Sequence, residues 1–208
     1  MSSSKSLNLL AVAHNYRTQG KRVMVLKPRL DSRFGAGSVT SRAGLSTDAD
    51  MLLDADTLLE TSAFEGCHCI LVDEAQFLST FVIDQLRLLT KAVPVPVICY
   101  GLRTDFKMML FEGSKRLLEL ADCIEEVKCT CQFCNRKAVF NMRFIGEEPA
   151  RSGEQIQLGD TNYFPLCFTC FDDRLPLEPK APQPSGGGEA ADSAAAGQAE
   201  AGAGGTVV

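Results

Sequence analysis

Four apolar residues followed by two acids, Cys69–Glu74, constrain the fold more than any other part of this sequence. A short apolar run that ends in acids is typical of a buried strand in a parallel sheet. The carboxyl ends of such strands form the edge at which open α/β sheets bind ligands. Asp73 is placed there to hold Mg²⁺, and Glu74 beside it can accept a proton. The pair fits a nucleotide-dependent phosphotransferase, although solvated acids after an ordinary strand would give the same pattern.

Apolar strands and amphipathic helices alternate over the first two thirds of the chain. This alternation predicts an α/β fold with a parallel sheet, right-handed crossovers and flanking helices. The predicted helices are residues 7–19, 48–63, 80–92 and 113–121, and the predicted strands are residues 22–26, 67–72 and 95–100. Residues 31–44 are rich in Ser, Gly and Arg, and are predicted to form a loop.

The character of the sequence changes after residue 127, which predicts a division into three parts. Residues 1–127 form the α/β domain. Residues 128–176 form a smaller, loop-rich unit with short strands at 137–144 and 155–157. Residues 177–208 are rich in Pro, Gly and Ala, and they contain too few large apolar side chains to form a core. We expect this last part to be a disordered tail.

Nine cysteines without a signal-peptide pattern indicate thiols or metal ligands rather than disulfides. Two Cys-x-x-Cys pairs, Cys131 with Cys134 and Cys167 with Cys170, can each present two sulfurs to one ion. Together they predict a closed, structural Zn²⁺ site of four thiolates. Unrelated buried thiols are the alternative, and Cys129 offers a second spacing. Four other cysteines are expected to pack in the interior: Cys67, Cys69, Cys99 and Cys123.

Charge and hydropathy exclude two classes of partner. The formal net charge of −5 gives no electrostatic case for binding nucleic acid or a membrane surface. No apolar run is long enough to cross a bilayer. We therefore expect a cytoplasmic protein.

The N-terminal residues Ser2–Ser6 resemble the second half of a phosphate-binding loop, and a predicted helix follows them. Lys5 would reach the β- and γ-phosphates, Ser6 would bind Mg²⁺, and the helix N-terminus would add its amide groups. Alone this match is weak, but a Lys-Ser-helix start and a strand that ends in Asp73 are the two halves of one site. The strand and first Gly that usually precede this loop are not in the sequence, and Ser4 stands where the general motif has Gly. We expect a truncated N-terminus and weakened ATP binding.

In order and spacing, the chain closely resembles the tetrameric, zinc-containing class of thymidine kinases from Met1 to about Phe171. Five segments and the two cysteine pairs carry the resemblance, the segments being Met1–Ser6, Asp31–Gly35, Ser41–Arg42, Val72–Phe77 and Tyr100–Phe106. The resemblance implies transfer of phosphate from ATP to the thymidine 5′-hydroxyl with Mg²⁺, giving dTMP for DNA synthesis. It also implies a P-loop parallel sheet, a homotetramer, and a zinc-bound lasso that closes over the base.

Roles for individual residues follow from the same resemblance. Glu74 would take the proton from the 5′-hydroxyl. The residues expected around the nucleotide and its Mg²⁺ are Ser2, Ser3, Ser4, Lys5, Ser6, Asp31, Arg33, Asp73 and Gln76. The residues expected around thymidine are Met1, Phe77, Phe106 and Tyr163, the last of these in the lasso at residues 159–166. From spacing alone, Phe77 and Phe106 would more often be core residues, and Asp31 and Arg33 solvated charges.

Two other functions compete with the active kinase. A non-catalytic relic would keep the fold and the zinc site but bind ATP poorly. A fragment of a helicase-type ATPase would explain Asp73–Gln76, but the chain is too short for two motor domains and lacks a basic face. The four cysteines have no place in such a motor.

Overall fold

The computed structural model describes residues 4–31, 37–156 and 162–178. The chain divides into a compact unit, Met1–Leu177, and a second segment, Glu178–Val208. Beyond Glu178 the second segment lies outside the described residues, so the expected disorder of the tail stays a prediction. The boundary expected after residue 127 also stays a prediction.

Within the described residues, four α-helices and nine strands follow one another along the chain. The helices are α1 (Lys5–Thr18), α2 (Thr80–Ala92), α3 (Glu112–Leu120) and α4 (Phe168–Asp172). The strands are β1 (Val23–Pro28), β2 (Ser38–Thr40), β3 (Ser46–Asp48), β4 (Met51–Leu53), β5 (Cys69–Val72), β6 (Val97–Cys99), β7 (Phe140–Ile145), β8 (Glu148–Pro149) and β9 (Asn162–Leu166). A short 3₁₀ turn, Ala75–Phe77, follows β5.

The parallel sheet predicted from the sequence is confirmed, with the strand order β4-β1-β5-β6. Strands β1 and β5 lie side by side, with Leu26 opposite Val72, and every residue of both strands is buried. Because all four strands run in the same direction, their carboxyl ends share one edge. Asp31, Asp73 and the loop that follows β6 therefore lie on the same side of the sheet.

Side chains of the two central strands alternate between two apolar layers, as the two-residue period of a strand requires. Alternate residues pack with Leu9, Leu10 and Ala13 of α1: Val23, Val25, Cys69 and Leu71. The others pack with the apolar side of α2: Met24, Leu26, Ile70 and Val72. The helix α2 supplies residues at helical spacing, namely Val82, Ile83, Leu86 and Leu89. Each such buried aliphatic side chain contributes about 1.5–3 kcal/mol relative to exposure.

A second, antiparallel sheet of order β8-β7-β9 carries the cysteine pairs at its end. Strand β7 pairs with β9, with Phe140 opposite Leu166, and Gly146 turns the chain between β7 and β8 at φ 62°. Cys131 and Cys134 lie before β7, and Cys167 follows β9 directly. Both pairs are therefore brought together by the β7–β9 pairing.

The predicted helix over residues 48–63 is wrong. Met51–Leu53 forms the edge strand β4, which pairs in parallel with Leu26–Pro28, and Ser46–Asp48 pairs with Ser38–Thr40. The carboxylate of Asp50 accepts a hydrogen bond of 2.7 Å from the backbone N–H of Val25. Pairing with a buried strand therefore overrides the helix-like spacing of the leucines.

Three smaller predictions also need correction. The loop expected over residues 31–44 contains the strand β2. Gln155 and Ile156 are not in a strand, and Gln157 lies outside the described residues. Cys123 is exposed rather than packed, because the segment after α3 runs over the surface, whereas Cys67 and Cys69 are buried as predicted.

The helix α3 lies directly against the 3₁₀ turn that follows β5. A Cβ atom added at Gly113 would lie 2.7 Å from the carbonyl oxygens of Ala75 and Leu78. These are backbone atoms, so they cannot move aside as a flexible side chain would. Gly113 thus permits a close approach that fixes the turn next to Asp73 and Glu74.

In the described part of the chain, no helix combines the length and apolar character needed to span a membrane.

We expect Gly113→Ala to destabilise the protein by roughly 1–3 kcal/mol, because overpacking outweighs the better helix propensity of Ala. Urea denaturation measures this change. Lys115→Ala at an exposed position of the same helix is the control, and we expect it to change stability by less than about 0.5 kcal/mol. Equal stability of Gly113→Ala and the native protein would contradict the close approach.

Candidate active site and metal centre

Two segments far apart in sequence meet at the carboxyl edge of the parallel sheet. The Ser6 hydroxyl, in the first turn of α1, lies 3.1 and 3.3 Å from the two carboxylate oxygens of Asp73. Lys5 is close enough to act electrostatically on the same carboxylate. The start of α1 and the acidic end of β5 are therefore in contact, and their use as a phosphate and Mg²⁺ site stays a prediction.

The environment of Asp73 is unusual for a carboxylate. Asp73 is only 4% exposed to solvent. Burial raises the pKa of the Asp73 carboxyl to about 6, and the charge of Glu74 adds to this, whereas the Ser6 hydroxyl and Lys5 act in the opposite direction. A buried carboxylate held beside a hydroxyl suits a hard divalent cation, which prefers oxygen ligands.

Glu74 adopts a left-handed backbone conformation, with φ 48° and ψ 38°. This is uncommon for a residue with a side chain, and strain of this kind is frequent at functional sites. The side-chain amide of Gln76 donates a hydrogen bond of 2.5 Å to a Glu74 carboxylate oxygen. The side-chain carbonyl oxygen of Gln76 accepts a hydrogen bond of 3.0 Å from the backbone N–H of Leu102.

Gln76 was predicted to contact the nucleotide, but the structure places it behind Glu74. Its residue is 2% exposed, and its amide links Glu74 to the loop that follows β6. A Cβ atom added at Gly101 would lie 2.9 Å from the side-chain oxygen of Gln76. This packing favours a role in orienting Glu74, while direct contact with nucleotide stays a prediction.

Asp31 lies at the same edge, buried in an ion pair. The Lys27 ammonium is 3.3 Å from its carboxylate, and both side chains are at most 5% exposed. Lys27 also donates a hydrogen bond of 3.0 Å to the backbone carbonyl of Ser38. Sequence analysis missed Lys27, and the signal that could have found it is a charged residue inside an otherwise apolar strand.

The aromatic residues predicted for thymidine take two kinds of position. Phe77 is half-buried and meets the ring of Phe111 edge-to-face, with centroids 5.8 Å apart. Phe106 is 2% exposed and lies under the guanidinium of Arg143, at 3.7 Å from the ring centroid. Tyr163 is half-buried in β9, directly opposite Arg143. Arg143 was not recognised from the sequence, because one arginine in a strand is usually solvated.

The two cysteine pairs form a single cluster, which we call the Cys₄ cluster: Cys131, Cys134, Cys167 and Cys170. Their sulfurs all lie within 4.8 Å of one another, and those of Cys134 and Cys167 are 3.7 Å apart. Tetrahedral Zn²⁺ with bonds of about 2.3 Å places its sulfurs about 3.8 Å apart. The cluster could therefore hold zinc with little movement.

The protonation of the Cys₄ cluster also fits a cation. For Cys131, burial is outweighed by hydrogen bonds from the backbone N–H groups of Cys167 and Phe133, which lower its pKa to about 6. For Cys170, burial and hydrogen bonds with the neighbouring cysteines raise the pKa to about 12. The Cys170 thiol therefore stays protonated at neutral pH without a cation, and a bound metal would allow it to ionise.

Some predicted site residues lie outside the described part of the chain, and their expected roles stay predictions. These are Met1, Ser2, Ser3 and Arg33, together with residues 159–161 at the start of the predicted lasso. Ser4 is described at the N-cap of α1, with a positive φ of 24°.

Comparison with known proteins identifies the family. The sequence profile described as "Thymidine kinase" matches residues 1–171. The chain belongs to the thymidine kinase family. A thymidine kinase of Lactiplantibacillus plantarum is 42% identical over 170 residues, which are 80% of this chain and 88% of the relative. One of Streptococcus gordonii is 44% identical over 170 residues, and that of Enterobacteria phage T4 is 42% identical over 172, each covering 80% of this chain and 89% of the relative.

The family match confirms the resemblance recognised from the ordered motifs, including its end near Phe171. It does not favour the non-catalytic relic or the helicase-type fragment.

We expect Asp73→Asn to stabilise the protein at pH 8 by about 1–3 kcal/mol. The folded pKa of about 6 lies above the ordinary value of 3.8, so the native protein loses stability as pH rises between these values. Asn carries no charge and removes this loss. The advantage should be complete above pH 6 and should disappear below pH 4, as measured by urea denaturation at each pH. Asp56→Asn, at an exposed position, is the control, and a less stable Asp73→Asn at pH 8 would contradict the analysis.

We expect protein purified without chelators to contain about one zinc ion per chain, held by the Cys₄ cluster. Cys167→Ser should lose most of this zinc and unfold at lower temperature, because metal binding contributes to folding. Cys129→Ser is the matched control, since Cys129 lies near the cluster but outside it, and its zinc content should not change. Elemental analysis measures the metal, and full zinc content after replacing both Cys131 and Cys134 would rule out this site.

Proposed function

We propose that this protein is a thymidine kinase that transfers the γ-phosphate of ATP to the 5′-hydroxyl of thymidine, giving ADP and dTMP. The observation that carries the proposal is the contact of Ser6 with Asp73, next to Glu74, in a chain of this family. It joins a helix N-terminus suited to phosphates, a carboxylate suited to Mg²⁺ and a second carboxylate able to accept a proton.

Lys5 and Ser6 bind the phosphates of ATP, helped by the backbone amides at the start of α1. Asp73 and Ser6 would hold Mg²⁺, and the bound ion would neutralise charge on the transferring phosphate. We expect Asp31 and Arg33 to act near the phosphates, where the Arg33 guanidinium would stabilise the transferring group. Lys27 keeps the Asp31 carboxylate in place.

Glu74 accepts the proton of the thymidine 5′-hydroxyl. The hydrogen bond from Gln76 fixes the direction of the Glu74 carboxylate. A general base must lie within hydrogen-bond reach of the proton that it takes, so this fixed direction matters as much as basicity.

The thymidine site is formed by Phe106, Phe77, Tyr163 and Met1, with the base stacked on Phe106. The Cys₄ cluster would hold Zn²⁺ directly after β9, the strand that forms residues 162–166 of the expected lasso, and the bound ion would anchor this end of the strand. The four thiolates leave no open position on the metal, which gives it a structural role.

Three further properties complete the proposal. The protein is a homotetramer, acts in the cytoplasm in nucleotide salvage for DNA synthesis, and binds no nucleic acid. Gel filtration with light scattering measures the first of these properties.

We expect Glu74→Gln to lower kcat for thymidine by roughly 10²- to 10⁴-fold, because Gln keeps the size of Glu but cannot accept the proton. Affinity for Mg-ATP, measured by calorimetry, should change little. Glu65→Gln at an exposed position is the control for a charge change. A Glu74→Gln variant with near-native turnover would remove Glu74 from the mechanism, and no thymidine-dependent ADP formation by the native protein would refute the proposed function.

A further inference from the structure

Arg143 in β7 is a buried cation that the mechanism above does not use. It is 1% exposed, and within the described residues no carboxylate pairs with it. Its Nε atom is buried without a hydrogen-bond partner among those residues. Burying an unpaired charge is costly, and an apolar residue of similar size would fill the space at lower cost. Fold stability alone therefore does not account for an arginine here.

The guanidinium holds one short segment of chain, residues 152–155. Nη1 donates a hydrogen bond of 3.0 Å to the backbone carbonyl of Glu154, and Nη2 donates one of 2.8 Å to that of Ser152. Gly153 lies between them with φ +124°, and a Cβ atom there would collide with the guanidinium. The planar fork of arginine suits two carbonyls presented side by side, which the single ammonium of lysine cannot match.

The same guanidinium supports Phe106 from one face, at 3.7 Å from the ring centroid. Arg143 and Tyr163 are directly opposite in the β7–β9 register, so their side chains lie on the same face of the sheet. Phe106 and Tyr163, both expected around thymidine, thus converge on Arg143. The Lys107 ammonium also lies over the Phe106 ring, at 5.3 Å from its centroid.

A second link ties the 152–155 segment to the loop that carries Phe106. The Gln155 side-chain amide donates a hydrogen bond of 3.0 Å to Asp105. The other carboxylate oxygen of Asp105 accepts bonds of 2.8 and 2.9 Å from the backbone N–H groups of Lys107 and Met109. The Phe106 loop and residues 152–155 are therefore joined by two contacts, the Arg143 guanidinium and the Gln155–Asp105 hydrogen bond.

We infer that Arg143 is a positioning residue for nucleoside binding: its guanidinium plane sets the Phe106 ring and ties residues 152–155 to the loop that carries this ring. This inference rests on the proposed function, because it takes Phe106 and Tyr163 to contact thymidine. It assigns Arg143 to the nucleoside side of the site only, so phosphate binding and proton transfer do not depend on it.

The test is steady-state kinetics of Arg143→Lys and Gly153→Ala. Lysine keeps the charge but loses the planar fork and one carbonyl bond. Alanine at residue 153 leaves Arg143 unchanged in sequence but displaces its guanidinium, because the added Cβ atom would collide with it. In both variants the KM for thymidine should rise about tenfold or more, the effect of losing one charge-assisted hydrogen bond. The KM for ATP and kcat at saturating thymidine should stay within about threefold, a split that general destabilisation does not produce.

Two matched controls separate positioning from stability. Gly146→Ala imposes a similar positive-φ strain, at φ +62°, with nothing near the added Cβ. Arg174→Lys alters a second arginine–phenylalanine stack, at 3.8 Å from the Phe133 ring. Both controls should lower the thermal midpoint without changing the KM for thymidine. Zinc content should be native in all four variants.

The outcomes are distinct. A native protein that does not phosphorylate thymidine overturns the proposed function, and this inference with it. An active native protein whose Arg143→Lys and Gly153→Ala variants keep the native KM for thymidine overturns the inference alone. So does an equal rise in the KM for thymidine and for ATP. If Arg143→Lys does not fold, Gly153→Ala against Gly146→Ala decides the matter.

Discussion

Strands β1 and β5 lie side by side with every residue buried, and the positions of the residues around Asp73 depend on this pairing. The register carries Asp73 to the edge of the sheet at the level where β1 ends. The apolar layers on the two faces then determine where α1 and α2 can lie, and α1 brings Ser6 to the Asp73 carboxylate. The apolar side chains of the sheet and its helices thus hold the polar groups of Ser6 and Asp73 together, although none of these apolar side chains is reactive.

The carboxyl edge of the sheet was predictable from local patterns in the sequence. The apolar run before Asp73 predicted β5, and the amphipathic spacing of residues 80–92 predicted α2 with the observed bounds. The two Cys-x-x-Cys pairs predicted the Cys₄ cluster, because sulfur spacing is set by the local turn and does not require knowledge of the fold. In each case the signal lies within a few neighbouring residues.

What could not be predicted depends on partners distant in sequence. Met51–Leu53 has the composition of a helix, but it becomes a strand because β1 offers an unpaired edge. Arg143 is one arginine in an alternating strand, and only the packed structure shows that it is buried against Phe106. Gln76 follows the acidic pair closely enough to be recognised as part of the site, yet its direction towards Glu74 and Leu102 depends on the loop after β6.

The left-handed backbone of Glu74 has a consequence for how this protein can change by mutation. A residue with a side chain loses about 1–2 kcal/mol of folding free energy in this conformation, and glycine avoids that strain. A library selected only for heat resistance would therefore favour loss of this glutamate, together with its proton-accepting group. If Glu74 is the base proposed above, selection for catalysis would oppose this loss. At this position, a substitution that raises thermal stability would therefore also remove the proposed catalytic base.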